Sequence, residues 1–189
     1  MREIIYFSRN ARTSGNFSDL MKAGRMDIVC HVVIMSLFIS NNIRDNVKLH
    51  LFFYGPPDPP KHLEIMANNN ISKKDVAGLI KRMLYKYKPG RKTEVFDNCF
   101  IEKNGLIKFV EELAETRNIY LLDRNGENIR NIEIKDNPIF ILGDHEGFPK
   151  KELKRLSKSA LKVSLGKINY FSSQAVTILN NELDHRDIN

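Results

Sequence analysis

Two short apolar runs near the C-terminal end each stop at a glycine and hand over to a helical pattern, and nothing else in the 189-residue chain limits its fold so closely. The first is Ile139-Phe140-Ile141-Leu142-Gly143-Asp144-His145-Glu146-Gly147-Phe148-Pro149; the second is Val163-Ser164-Leu165-Gly166-Lys167-Ile168-Asn169-Tyr170-Phe171-Ser172-Ser173-Gln174. A strand, a glycine turn and a helix make the repeating unit of an open α/β sheet, whose ligands bind beyond the carboxyl ends of the strands. Two such ends close in sequence predict one composite pocket.

The rest of the chain repeats the unit. Strands are expected at 2–8, 47–54, 62–66, 100–102, 119–122, 138–142 and 161–165, and helices at 27–40, 73–87, 106–115, 150–157 and 172–183. This alternation predicts an α/β fold with a largely parallel sheet, and the length suits one domain over residues 1–189. Residues 11–24 read as a long polar loop of the kind that often carries function. Pro56-Pro57-Asp58-Pro59-Pro60 reads as a stiff surface loop, because proline has no amide donor for a ladder. The helix at 27–40 is apolar on nearly every face, so it should be buried on both sides, in the core or across a subunit interface.

The 30 Lys and Arg exceed the 23 Asp and Glu, leaving a formal charge of +7 that favours a polyanion such as nucleic acid. Cys30 and Cys99 sit in apolar surroundings and read as buried thiols, which fits a reducing, cytoplasmic setting. The apolar stretch at 28–39 is interrupted by His31 and Ser36 and is too short for a bilayer, and no signal-peptide pattern opens the chain. No membrane association is expected.

Gly166-Lys167 lacks the following Ser or Thr of a P-loop, and Gly143 and Gly147 are wrongly spaced for a dinucleotide fingerprint. The histidines at 31, 50, 62, 145 and 185 show no helical ligand spacing, so no metal is expected; His31 reads as a packing residue and His145 as a turn residue. The two glycine turns have two readings: sharp exits from strands, or places where a ligand approaches the backbone between aliphatic walls from Leu122, Leu142, Leu165 and Ile168. In Gly24-Arg25-Met26-Asp27, the aspartate suits a helix start; alternatively Arg25 grips a phosphate or base while Asp27 accepts a proton or hydrogen bond from a substrate. Lys150, Lys151, Lys154, Arg155, Lys158 and Lys162 form one basic stripe. Lys81, Arg82, Lys86, Lys88, Arg91 and Lys92, interleaved with Tyr85 and Tyr87, form a second. Each is either a solvated face or a surface for RNA.

Taken together, Gly24-Arg25-Met26-Asp27, Tyr54-Gly55 with the proline run, the turn from Ile141 to Pro149, and Ser164-Leu165-Gly166 through Ser173-Gln174 to Asn181-Glu182-Leu183-Asp184 carry a resemblance over nearly the whole length. The chain resembles the archaeal tRNA (pseudouridine-54-N1)-methyltransferases, the TrmY family of the SPOUT superfamily. The resemblance implies a SPOUT-type α/β knot, with the C-terminal part tied in a deep trefoil knot, and a homodimer seamed in part by the helix from Asp27. It implies tRNA as substrate and S-adenosylmethionine as methyl donor, held by Leu122, Gly143, Leu165, Gly166, Lys167, Ile168, Asn169, Tyr170 and Ala175, the last standing where relatives often have cysteine. Asp27 and Arg25 would be the catalytic pair. The alternatives are a SPOUT methyltransferase directed at ribosomal RNA or a ribose oxygen, for which Glu146 speaks, and a non-catalytic RNA-binding or assembly protein.

Overall fold

The computed structural model describes residues 1–66 and 71–188. The elements run β1 (Arg2–Ser8), α1 (Met26–Leu37), β2 (Phe38–Ile39), β3 (Asn42–Ile43), β4 (Val47–Phe53), β5 (Lys61–Met66), α2 (Val76–Tyr85), β6 (Thr93–Phe96) and β7 (Cys99–Glu102). There follow α3 (Leu106–Ala114), β8 (Ile119–Asn128), β9 (Ile139–Gly143), α4 (Lys150–Ser159), β10 (Leu161–Ser164) and α5 (Ser172–His185).

One eight-stranded sheet has the order β10-β8-β9-β1-β4-β5-β7-β6. From β10 to β4 every pairing is parallel, and from β4 to β6 every pairing is antiparallel. The largely parallel sheet expected from the alternation is therefore a parallel half, whose carboxyl ends share one edge, joined to an antiparallel half. Side chains alternate across each strand. Ile4 and Tyr6 of β1 belong to a core under α1 and α2, whereas Ile5 and Phe7 belong to a second core under α3 and α4. A third cluster joins Tyr120, Phe140 and Val163 to Leu179 and Leu183 of α5.

Several boundaries differ from the sequence reading. Residues 73–75 form a short 3-10 turn ahead of α2, with the Ser72 hydroxyl accepting from the Lys74 N–H. Strand β8 runs on past Leu122 through polar residues to Asn128, because β10 lies beside it and shifts register between Lys162 and Val163. Strand β6 escaped the sequence because none of its residues is buried. His31 is not in the core: within the chain it is exposed, on the side of α1 that also bears the exposed Met35, while Val29, Val32 and Val33 are fully buried.

The start of β1 is tied to α5 by charge. Arg2 is buried and donates through Nη1 to Asp184 Oδ1 at 2.9 Å, and Arg44 also pairs with Asp184, at 2.6 Å. Phe140 is fully buried and stacks on Tyr120 at 5.0 Å. Its truncation, Phe140→Ala, should cost about 3–5 kcal/mol, seen as a lower urea midpoint at unchanged m-value.

Candidate active site

The carboxyl edge of the parallel half opens into a cavity of about 610 Å³, within the range of small-molecule sites. Its walls come from the ends of β8, β9 and β10 and from the start of α5. One carboxylate organises the edge. Asp144, 8 % exposed, accepts from Ser8 Oγ at 3.1 Å and from the Arg9 N–H at 2.9 Å through Oδ2, and from the Glu146 N–H at 2.9 Å through Oδ1. Ser172, the first residue of α5, donates its hydroxyl to the Gly143 carbonyl at 3.0 Å, so the helix start is pinned to the first glycine turn. In the second turn the Ser164 hydroxyl donates to the Gly166 carbonyl and accepts from the Gly166 N–H.

Leu122, Gly143, Leu165, Gly166, Ile168, Asn169, Tyr170 and Ala175 all line this cavity. Lys167 stands in the same turn but is exposed and lies outside the lining. Gly166 has φ +125°, and a Cβ there would meet nothing within 4 Å, so the space beside it is open to a ligand. The lining also includes Ile28, Asp123 and Arg124, which the sequence reading did not single out, together with Asp144, Ser164, Ser172 and Gln174 of the two glycine turns, to which it gave no individual role. Asp123 and Ser164 end or follow apolar strand cores, and that position was the available signal.

Arg25 and Asp27 meet as a bidentate pair, with Nε to Oδ1 at 3.0 Å and Nη2 to Oδ2 at 2.9 Å. Asp27 is not the helix cap; that position is Arg25 itself, held in the left-handed region at φ 61° with no side-chain cap. The preceding Gly24 is also left-handed, and a Cβ there would stand 1.7 Å from the Asn10 carbonyl oxygen. Only glycine fits this clasp, which ties residues 9–24 to the start of α1. Asn10 donates its amide to Glu146 at 2.9 Å, so the same segment reaches the β9 turn. Tyr6, buried on β1, lies within the field of both Asp144 and Asp27; burial first and then these charges push its hydroxyl pKa up. Arg25 holds the Asp27 carboxyl below the usual carboxylate range. While paired, Asp27 is an anion that accepts hydrogen bonds and a weak acceptor of protons.

The basic stripes are partly committed. Arg155 forks onto Glu111 and Lys162 pairs with Asp123; Arg82 pairs with Asp75, and Tyr87 carries the Lys61 ammonium at 3.9 Å. Lys150, Lys151, Lys154 and Lys158 are exposed on α4, and Tyr85 is 63 % exposed on α2. Among the described residues, His50, His62 and Glu64 bring three possible ligand atoms within 4.8 Å. Helical spacing could not reveal this cluster, because its members sit on adjacent strands. Replacing Arg25 by alanine should free Asp27 and raise its pKa toward the ordinary carboxylate range, read by carboxyl carbon NMR titration.

The comparisons with known proteins agree along the whole length. A family model described as "Putative SAM-dependent RNA methyltransferase" matches residues 1–188. The tRNA (pseudouridine(54)-N(1))-methyltransferase of Methanosarcina acetivorans is 36% identical over 200 residues, covering 99% of this chain and 92% of that protein. Its namesake from Methanocaldococcus jannaschii is 30% identical over 203 residues, covering 100% and 98%. Archaeoglobus fulgidus Nep1, solved with S-adenosylhomocysteine, shares the fold at a TM-score of 0.68 and 14% identity over 97% of both chains. With a cavity where open α/β sheets bind ligands and relatives matched nearly end to end, the chain belongs to the tRNA (pseudouridine(54)-N(1))-methyltransferase family of S-adenosylmethionine-dependent enzymes.

Proposed function

We propose that the protein methylates N1 of pseudouridine 54 in the T-loop of tRNA, with the methyl donor seated in the carboxyl-edge cavity. The observation that carries this reading is the meeting of the two glycine turns around one cavity, with the Arg25–Asp27 pair at the head of a helix whose Ile28 lines it. The residues present suit S-adenosylmethionine: Leu122, Leu142, Leu165 and Ile168 offer apolar walls for adenine, the main chain of the two turns offers donors and acceptors, and Gly166 leaves room beside its backbone. When bound, the donor supplies a methyl group on a sulfonium, an electrophile that needs no metal.

Pseudouridine, unlike uridine, has a free N1–H, and that nitrogen attacks well only once its proton is lost. As N1 bonds to the methyl carbon, the carbon–sulfur bond breaks and the N1 proton leaves to base or water. Positioning is most of the work, and Asp27 would accept a hydrogen bond from N1–H and align the ring. Arg25 would turn to a backbone phosphate; in doing so it releases Asp27, whose pKa then rises and whose strength as a base grows. The stacked base must swing out to reach the cavity, and the exposed lysines of α4 would hold the displaced backbone.

The homodimer, the single domain and the cytoplasmic setting belong to the same reading. Exposed Met35 and Ile39 beside α1 would be covered by a second copy, and both cysteines are free and buried. A C-terminal trefoil knot fits the path in which α5 packs on Ile129 and Ile134, while Arg186 donates to the Ile129 and Ile132 carbonyls.

Labelled methyl from S-adenosylmethionine should pass to a tRNA transcript carrying pseudouridine at position 54 and not to its uridine twin. Equal labelling of both would favour a ribose or another base, and labelling of neither, with RNA still bound, a non-catalytic role. Asp27→Ala should keep donor affinity within about twofold while methyl transfer falls roughly 10²- to 10⁴-fold. Gly166→Leu, filling the open space, should abolish donor binding in calorimetry.

A further inference from the structure

A polar chain crosses the sheet beneath α3 in an otherwise apolar core. Glu3 on β1 bonds His50 Nε2 at 3.0 Å; His50 Nδ1 meets His62 Nε2 on β5 at 2.9 Å; His62 Nδ1 meets Glu102 Oε1 on β7 at 2.9 Å. Both imidazoles are 1% exposed, and Phe52 and Phe109 pack on the His62 ring at 4.3 and 4.7 Å.

The carboxylates around the pair are held by partners of their own. Glu3 also takes Arg117 at 3.0 Å; burial would raise its pKa, but the bond to His50 and the charges of His50, Lys48 and Arg117 hold it at about 2. The bond from His62 holds Glu102 below the usual carboxylate range. Glu64, opposite His50 across β4 and β5, is engaged by Lys92 at 2.8 Å and Lys48 at 3.9 Å. From α3 the Phe109 ring packs on both imidazoles.

Glu3 and Glu102 are anions that only accept, so His50 Nε2 and His62 Nδ1 must both carry protons. A neutral imidazole has one N–H. Two neutral rings would therefore turn bare lone pairs on each other across 2.9 Å, which is a hydrogen-bond distance. A cation must stand between them. With Glu64 already held by two lysines, a metal ion would find two nitrogens and a ring of positive charge, whereas a proton needs only the two nitrogens.

We propose that His50 and His62 share one proton at neutral pH, a buried imidazolium–imidazole pair that clamps the parallel half of the sheet to the antiparallel half and gives the fold a stability maximum near neutrality. In the unfolded chain each histidine titrates near 6.5. Burial, with the charge of His50 adding to it against the pull of Glu102, keeps His62 from taking a second proton until about pH 4. Between those values the unfolded chain binds one proton more than the fold, so stability rises with pH. Above about 6.5 the fold binds one proton more, and the folding constant falls roughly tenfold per pH unit until the pair gives it up.

The test compares urea unfolding of the wild type and Glu102→Gln from pH 6 to 8, below the range in which the raised thiols of Cys30 and Cys99 contribute. A glutamine amide can donate to His62 Nδ1, which lets His62 Nε2 donate to His50 and satisfies the chain without an extra proton. Between about pH 7 and 8 the wild-type folding constant should fall close to tenfold relative to the variant; parallel profiles would overturn the proposal. Ring-nitrogen NMR of the wild type at pH 7.5 gives a second reading that does not depend on the variant folding. At most one bare nitrogen among the four is expected; two bare nitrogens, or stoichiometric zinc bound by the pair, would refute it.

Discussion

The parallel seam between β1 and β9 is the contact on which the rest of the structure depends. It pairs Glu3–Phe7 with Ile139–Gly143 and brings the first strand beside one that arrives more than a hundred residues later. Because the strands run the same way, Ser8 and Arg9 emerge next to Asp144, whose carboxylate fastens the two exits together. The cavity is a consequence of that alignment. An antiparallel pairing would have placed the two exits at opposite edges.

The second constraint is steric. The Asn10 carbonyl is gripped from two sides, by Gly24 and by Gly55, where an added Cβ would stand 1.7 and 2.2 Å away. This grip turns the chain through the left-handed Gly24 and Arg25 and directs the Arg25–Asp27 pair to the head of α1. Through the Asn10 amide the same residue touches Glu146 on the cavity rim. The Arg25–Asp27 pair and the carboxyl-edge cavity, which share no strand, are thus referenced to one residue, the kind of common reference that catalysis by positioning requires.

The glycine-ended strands were legible because a short apolar run such as Ile139-Phe140-Ile141-Leu142, bounded by Pro138 and Gly143, reads as buried strand, and the turn after each then falls at one edge of the sheet. The cavity residues they carry followed from the same reasoning together with the family resemblance. What stayed hidden was whatever depends on strands meeting across the sheet. Thr93–Phe96 is a strand only because it pairs with β7, its side chains being unburied. His50 and His62 read as scattered until antiparallel pairing of β4 and β5 brought them together. Likewise the fork from Arg25 to Asp27 depends on a left-handed residue that no propensity favours for arginine.

The link between Arg2 and Asp184 also sets a timetable. A ribosome adding about 5–20 residues per second delivers the guanidinium roughly 10–40 s before its partner. Until then Arg2 lacks the counter-charge beside which it is buried, and for most of that time β1 also lacks its neighbour β9. The nascent chain must therefore keep a strand that is buried along its whole length in the fold waiting, exposed or shielded by other hands, and the parallel half of the sheet is closed only after residue 184 has been added.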